Sequence, residues 1–209
     1  MLNSRLVILD FDSTLFNVRL FLADLTNLLA KKFDINLERF DVTYEQMRTA
    51  GGGYSTYDHM KFLGLPKAEI DALLDKKSFP NEYAYQGVTE AIAKFQKTSD
   101  VIIWTLGDAR FQEFKRAFIP ALKNVAFIIT HDKSAKLPDE IVRKEDGVQY
   151  NSKLYKSVVL IDDNPKNFFD SPPIYLRQIR VRYPGGRYSK IETPKGVEEA
   201  ANLADIVLQ

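Results

Sequence analysis

Two aspartates separated by one residue, Asp10 and Asp12, follow directly after a short apolar run at residues 6–9. The run is too short for a buried helix and is rich in branched side chains, which predicts a fully buried strand. The carboxylates must lie at the C-terminal end of that strand, because an unpaired buried charge is very costly, and open parallel sheets have their ligand crevices at that edge. Residues two apart share a face of a strand, so the two carboxylates can converge. Their mutual repulsion implies a bound cation or a shared proton.

Three further apolar runs end in residues that could bind a phosphate or a metal. They are 101–104, followed by Thr105; 125–129, followed by Thr130, Lys133 and Lys136; and 158–161, followed by Asp162 and Asp163. Parallel strands end at the same edge of a sheet, so these side chains would meet Asp10 and Asp12 there. One such ending could be an ordinary turn, but its repetition favours a shared site.

The rest of the chain divides into a helical block and an alternating block. The predicted helices are 18–33, 37–49, 57–63, 66–75, 87–97, 111–118, 138–144 and 196–208, with a turn at the three glycines 51–53, a hairpin or loop at 147–156 and a fifth strand at 179–182. Strands that alternate with helices predict an α/β protein with a doubly wound parallel sheet. We expect residues 1–16 and 84–209 to form this Rossmann-like core, and residues 17–83 to form an inserted all-helical domain.

The amino-acid composition limits the kinds of partner, metal site and nucleophile that the protein can have. The 209 residues carry a net charge of +1, so no overall field favours nucleic acid or an anionic membrane. The chain has no cysteine, which excludes disulfides, thiolate metal sites and a cysteine nucleophile, and it has only two histidines. Carboxylates would therefore hold any metal, which suits Mg²⁺. No apolar run is long enough to span a membrane, and the N-terminal run is too short for a signal peptide. We expect a cytoplasmic protein without membrane partners.

A basic run near the C-terminus is the one feature that could attract a polyanion. Its members are Arg177, Arg180, Arg182, Arg187 and Lys190, with no acid between them. A nucleic-acid end-processing phosphatase would use such a run to bind its substrate. A solvated edge strand and loop is the simpler interpretation, so we do not expect a nucleic-acid partner.

The motifs taken together resemble the haloacid dehalogenase-like (HAD) superfamily, in its phosphatase branch with a helical cap. The segment DFDST resembles the first motif of that superfamily, IIWT the second and LIDDNPKN the fourth. The helical block lies where such enzymes carry their cap. The resemblance implies a Mg²⁺-dependent phosphatase that acts on a small phosphorylated metabolite through an aspartyl-phosphate intermediate. A phosphotransferase such as a phosphomutase, or a non-catalytic binding protein on the same fold, is the alternative.

The resemblance also implies a role for each site residue. Asp10 would be the nucleophile and Asp12 the general acid and base. Mg²⁺ would be held by Asp10, the backbone carbonyl of Asp12, and the pair Asp162 and Asp163. Thr105 and a lysine would bind the phosphate oxygens. Dehalogenases of the superfamily lack the second aspartate, so Asp12 indicates chemistry on phosphate esters.

The third motif of the superfamily is a single lysine, and four candidates lie between the third and fourth strands: Lys133, Lys136, Lys144 and Lys153. We prefer Lys136, because the segment KLPDEI resembles the family pattern with one residue inserted. Lys133 is the second choice, because it lies nearest the strand end. Asn167 stands where the family often has aspartate, and it could bind a metal-bound water or cap the next helix. Thr14 is expected to brace the loop that carries the two aspartates.

Overall fold

The computed structural model describes residues 5–49 and 54–208, which form a main parallel sheet and a smaller antiparallel one. The strands are β1 (Arg5–Leu9), β2 (Asp100–Leu106), β3 (Ala126–Thr130), β4 (Val142–Lys144), β5 (Gly147–Tyr150), β6 (Lys153–Tyr155), β7 (Ser157–Asp162), β8 (Leu176–Val181) and β9 (Glu198–Ala200). The main sheet has the order β3-β2-β1-β7-β8-β9, and every pair in it is parallel. The chain order reverses at β1, between β2 and β7, which is where α/β sheets bind their ligands. The predicted parallel α/β sheet is confirmed.

Within the described ranges, six α-helices accompany these strands. They are α1 (Val18–Phe33), α2 (Leu37–Thr49), α3 (Thr56–Phe62), α4 (Lys67–Leu73), α5 (Val88–Gln96) and α6 (Ala109–Arg116). The first four lie between β1 and α5, so the described part of the predicted insertion is helical; the glycines 51–53 lie outside the described residues. The Asn17 side chain caps α1, and Asn17 N donates to Tyr83 O at 2.7 Å, between the two ends of the predicted insertion. No helix of the described ranges has the length and hydropathy needed to cross a membrane.

Both faces of the inner strands β1, β2, β7 and β8 are buried, as their continuous apolar runs predict, whereas the predicted buried strand β3 lies at the edge of the sheet and is only half-buried. Val7 and Leu9 belong to a hydrophobic cluster that continues through Phe21 of α1 into the helical insertion. Leu6 and Ile8 belong to a second cluster on the other face. The antiparallel sheet of β4, β5 and β6 contributes side chains to that second cluster.

Two of the predicted helices are wrong. Residues 138–144 end in strand β4, which pairs with β5 in a hairpin. Residues 196–208 contain strand β9 and a short 3₁₀ helix, Leu203–Asp205. Glu198, Glu199 and Ala200 are good helix formers, but pairing with β8 overrides that local preference.

The same pairing corrects our interpretation of the basic run as a solvated edge strand, because β9 covers the edge of β8. Arg177 Nε donates to Glu198 Oε1 at 2.6 Å, and Arg182 Nη1 lies 3.3 Å from Glu199 Oε2. Two of the five basic residues are therefore paired with carboxylates of the neighbouring strand.

A third member of the run, Arg180, is fully buried. Its guanidinium donates to the backbone carbonyls of Asp163 at 3.2 Å, Tyr188 at 2.5 Å and Ile191 at 2.7 Å. These bonds tie the segment 188–191 to the end of the strand that carries the acidic pair. Arg180 therefore holds backbone segments together in the interior and is not part of a basic surface.

Candidate active site

A tight turn follows β1 and presents the first two aspartates. Asp10 N donates to Ile161 O at 2.8 Å, which extends the pairing of β1 with β7 by one residue. Phe11 O then accepts from the backbone nitrogens of Leu15 and Phe16, both at 2.9 Å, and Ser13 lies in the left-handed region at φ 65°. The chain therefore turns sharply as soon as Asp10 has left the sheet.

Asp10 meets the acidic pair at the end of β7. Ligand oxygens of Asp10, Asp162 and Asp163 all lie within 4.8 Å of one another, and all three residues are buried. One lysine lies among them: Lys133 Nζ is 2.5 Å from Asp10 Oδ1 and 3.2 Å from Asp162 Oδ2. The same ammonium lies 4.7 Å from the centre of the Trp104 ring. We refer to Asp10, Asp162 and Asp163 as the acidic cluster.

The acidic cluster carries more negative charge than its lysine neutralises. Burial, and then the charge of Asp162, raise the pKa of Asp10 to about 7, although Lys133 opposes the shift. Burial, and then the charge of Asp10, raise the pKa of Asp163 to about 9. Burial disfavours the charged form of Lys133, but the carboxylates outweigh it and raise the pKa of its ammonium above the usual range. A divalent cation would relieve this repulsion, and three buried carboxylates are ligands that suit Mg²⁺.

Lys133, and not our preferred Lys136, contacts the acidic cluster. Lys133 is 7% exposed and contacts two members of the acidic cluster. Lys136 has φ 63°, and its ammonium donates to the backbone carbonyl of Lys166. The turn between the two lysines directs the second one away from Asp10, so the order of our two candidates is reversed.

Asp162 is held by its own loop. Its Oδ1 accepts from Asn164 N at 2.8 Å, and its Oδ2 accepts from Asn167 Nδ2 at 2.8 Å. The structure thus gives Asn167 a direct hydrogen bond to a member of the acidic cluster. A neutral amide at this position adds a donor to Asp162 without adding a further negative charge.

Two threonines lie at the ends of β1 and β2. Thr14 Oγ1 donates to Asp10 Oδ2 at 2.9 Å, which is the bracing role we expected. Thr105 is fully buried at the end of β2, and its Oγ1 finds no hydrogen-bond partner within the described ranges. A buried hydroxyl without a partner is unusual and fits a ligand that accepts its hydrogen bond.

Asp12 lies apart from the acidic cluster and has partners that the sequence did not predict. Lys115 Nζ binds both of its carboxylate oxygens, at 2.6 Å for Oδ2, and Gln112 Nε2 donates to Oδ2 at 2.9 Å. Both partners are buried on α6, together with Phe111. The sequence did contain a signal for this contact. Gln112 and Lys115 are one helical turn apart and share the buried side of α6 with Phe111.

The comparisons with known proteins bear on the fold. No protein-family model and no curated protein sequence matches the chain. A haloacid dehalogenase-like hydrolase from Burkholderia xenovorans LB400 is similar in structure with a TM-score of 0.69, at 17% identity over 96% of this chain and 94% of the other. The HAD-hydrolase YfnB from Bacillus subtilis, bound to magnesium, has a TM-score of 0.54 at 13% identity, covering 95% of each chain. L-2-haloacid dehalogenase from Xanthobacter autotrophicus, with chloropropionic acid covalently bound, has a TM-score of 0.53 at 15% identity over 98% of this chain and 96% of the other. The chain therefore has the fold of the haloacid dehalogenase-like hydrolases.

Proposed function

We propose that the chain is a Mg²⁺-dependent phosphatase of the HAD-like superfamily, which hydrolyses a small phosphate monoester through an aspartyl-phosphate on Asp10. The supporting observation is the presence of two separate carboxylate environments side by side. The acidic cluster suits a metal, whereas Asp12 lies outside it with its own cationic partner. A halide leaves without a proton, but an alkoxide needs one, so an acid at Asp12 favours phosphate esters over haloacids.

The first step uses the residues around Asp10. One carboxylate oxygen of Asp10 attacks phosphorus, and a new bond forms as the bond from phosphorus to the ester oxygen breaks. Lys133 and the buried hydroxyl of Thr105 bind the phosphate oxygens. The acidic cluster and the backbone carbonyl of Asp12 would hold Mg²⁺, which would neutralise charge on the phosphoryl group.

Asp12 serves both halves of the reaction. It gives a proton to the leaving oxygen, and it then takes a proton from the water that hydrolyses the aspartyl-phosphate. A phosphotransferase would share the first half and replace that water with the hydroxyl of an acceptor. A binding protein without turnover has no chemical need for Asp12 beside the acidic cluster.

The test is the hydrolysis of p-nitrophenyl phosphate with and without Mg²⁺. We expect metal-dependent phosphate release that is lost in Asp10→Asn and kept in Asp139→Asn, a matched change at an exposed aspartate. Beryllofluoride should bind the wild type and not Asp10→Asn. Chloride release from L-2-chloropropionate without any phosphatase activity would overturn the proposal in favour of a dehalogenase. Failure of both phosphate release and beryllofluoride binding would overturn it as well.

A further inference from the structure

Two buried side chains of α6 bind the Asp12 carboxylate from the protein interior. Lys115 Nζ contacts both oxygens, and Gln112 Nε2 donates to Oδ2 at 2.9 Å. The side chain of Asp12 is 31% exposed, whereas that of Lys115 is 4% exposed. The carboxylate can therefore meet a substrate, while its two partners are shielded behind it.

Lys115 has little reason to be buried except for this contact. Its ammonium lies 4.8 Å from the centre of the Phe111 ring and 5.6 Å from those of Phe11 and Phe16. The three rings attract the cation, but they do not replace the hydrogen bonds that an ammonium loses on leaving water, which the Asp12 carboxylate supplies. Burial accordingly lowers the pKa of Lys115, and the charge of Asp12 opposes that shift.

The position of Gln112 depends on a glycine at the end of β2. Gly107 has φ +147°, and a Cβ there would lie 2.7 Å from Gln112 Nε2. The same Nε2 also donates to Leu106 O at 2.7 Å, so its place is fixed by two acceptors and by the bare glycine. Gln112 Oε1 is buried with no partner inside the described ranges. The amide of Gln112 is therefore oriented so that Nε2 can donate to Asp12, although this orientation leaves Oε1 without a hydrogen bond in the described part of the chain.

We propose that Lys115 and Gln112 are positioning residues that orient the Asp12 carboxylate for proton transfer to the leaving group. The inference rests on the proposed phosphatase function and deepens it. In the proposed reaction, Asp12 gives a proton to the leaving oxygen as the bond from that oxygen to phosphorus breaks, and the water that later attacks the aspartyl-phosphate returns a proton to Asp12. Lys115 and Gln112 hold the carboxylate in place for both transfers.

The test compares two esters of similar size that differ in their need for a proton. The p-nitrophenolate of p-nitrophenyl phosphate leaves without protonation, whereas the alkoxide of benzyl phosphate requires it. We measure kcat/KM, because it reports the steps up to departure of the leaving group. In Lys115→Met we expect kcat/KM for benzyl phosphate to fall about 10²-fold or more, the size of an acid contribution, and that for p-nitrophenyl phosphate to fall less than about 5-fold.

Two further variants keep the test decisive. Gln112→Leu leaves the buried lysine in place, and its kcat/KM should also fall more for benzyl phosphate than for p-nitrophenyl phosphate, by a smaller factor. This variant keeps the test available if circular dichroism shows that Lys115→Met does not fold. Lys123→Met makes the same chemical change at an exposed lysine after α6 and should leave both substrates unaffected. An equal loss on both esters in Lys115→Met and Gln112→Leu, or no loss on either, overturns the inference. A wild type that hydrolyses neither ester overturns the proposed function instead.

Discussion

Replacing Asp163 by asparagine should stabilise the metal-free protein, although the same change should remove its response to Mg²⁺. Asp163 is 8% exposed, and no hydrogen bond to its carboxylate is found within the described ranges. Burial, followed by the charges of Asp10 and Asp162, raises its pKa from 3.8 to about 9. Asparagine has nearly the same shape as the protonated side chain and never carries the charge.

The expected magnitude follows from proton linkage. The folded protein keeps the Asp163 proton to about pH 9, whereas the unfolded chain releases it near pH 3.8, so the unfolded chain binds fewer protons throughout this window. The free energy of unfolding of the wild type therefore falls as the pH rises through the window, by about 1.4 kcal/mol for each pH unit. At about pH 8 the full loss would be about 6 kcal/mol, and relaxation of the site reduces it. We expect Asp163→Asn to gain about 2–4 kcal/mol at about pH 8 and about 1 kcal/mol at about pH 5.

The assay is urea unfolding in the presence of EDTA at these two pH values, with Asp139→Asn as the exposed control. Addition of Mg²⁺ should stabilise the wild type by about 2.7 kcal/mol at a hundredfold excess over Kd, and should stabilise Asp163→Asn much less. The reasoning is refuted if Asp163→Asn is less stable than the wild type at about pH 8 in EDTA. It is also refuted if the difference between the two proteins does not depend on pH.

Three further predictions concern other buried charges. Lys133→Met leaves the acidic cluster without its cation and should lower the free energy of unfolding in EDTA by about 3–5 kcal/mol, whereas Lys136→Met should change it by less than about 1 kcal/mol; equal effects would contradict our assignment. Burial lowers the pKa of His59 to about 4, so its contribution to stability is lost as the pH falls from about 6.5 to 4, and His59→Gln should flatten this part of the stability curve by about 2 kcal/mol. Arg180→Met removes the buried guanidinium that donates to three backbone carbonyls and should cost about 3 kcal/mol. Hydrogen exchange should then rise in the segment 188–191, and unchanged protection there would oppose the structural role.

The meeting of the acidic residues could be predicted from the sequence because each follows an apolar run directly. An unpaired charge is too costly to bury within such a strand, so a carboxylate that follows the strand must lie at its end. The choice between Lys133 and Lys136 could not be made in this way. It depends on a turn in which Lys136 adopts φ 63°, and nothing in the local sequence requires that turn.

The helix predicted at 196–208 was wrong for a different reason. Glu198 and Glu199 favour a helix when considered alone, but Arg177 and Arg182 lie opposite them on β8 and pair with them. Cross-strand partners of this kind are distant in sequence, and strand preference depends on them more than on the residue itself. Lys115 was missed for a related reason, because its partner Asp12 lies 103 residues away.

The place of Trp104 gives the protein an intrinsic optical reporter. Trp104 is the only tryptophan of the chain. It is 1% exposed, and the Lys133 ammonium lies 4.7 Å from the centre of its ring. All indole emission therefore originates beside the acidic cluster, where a bound cation or oxyanion changes the electric field on the ring. Ligand affinities at this site can thus be titrated by fluorescence on the unlabelled wild-type protein, without a substrate and without turnover.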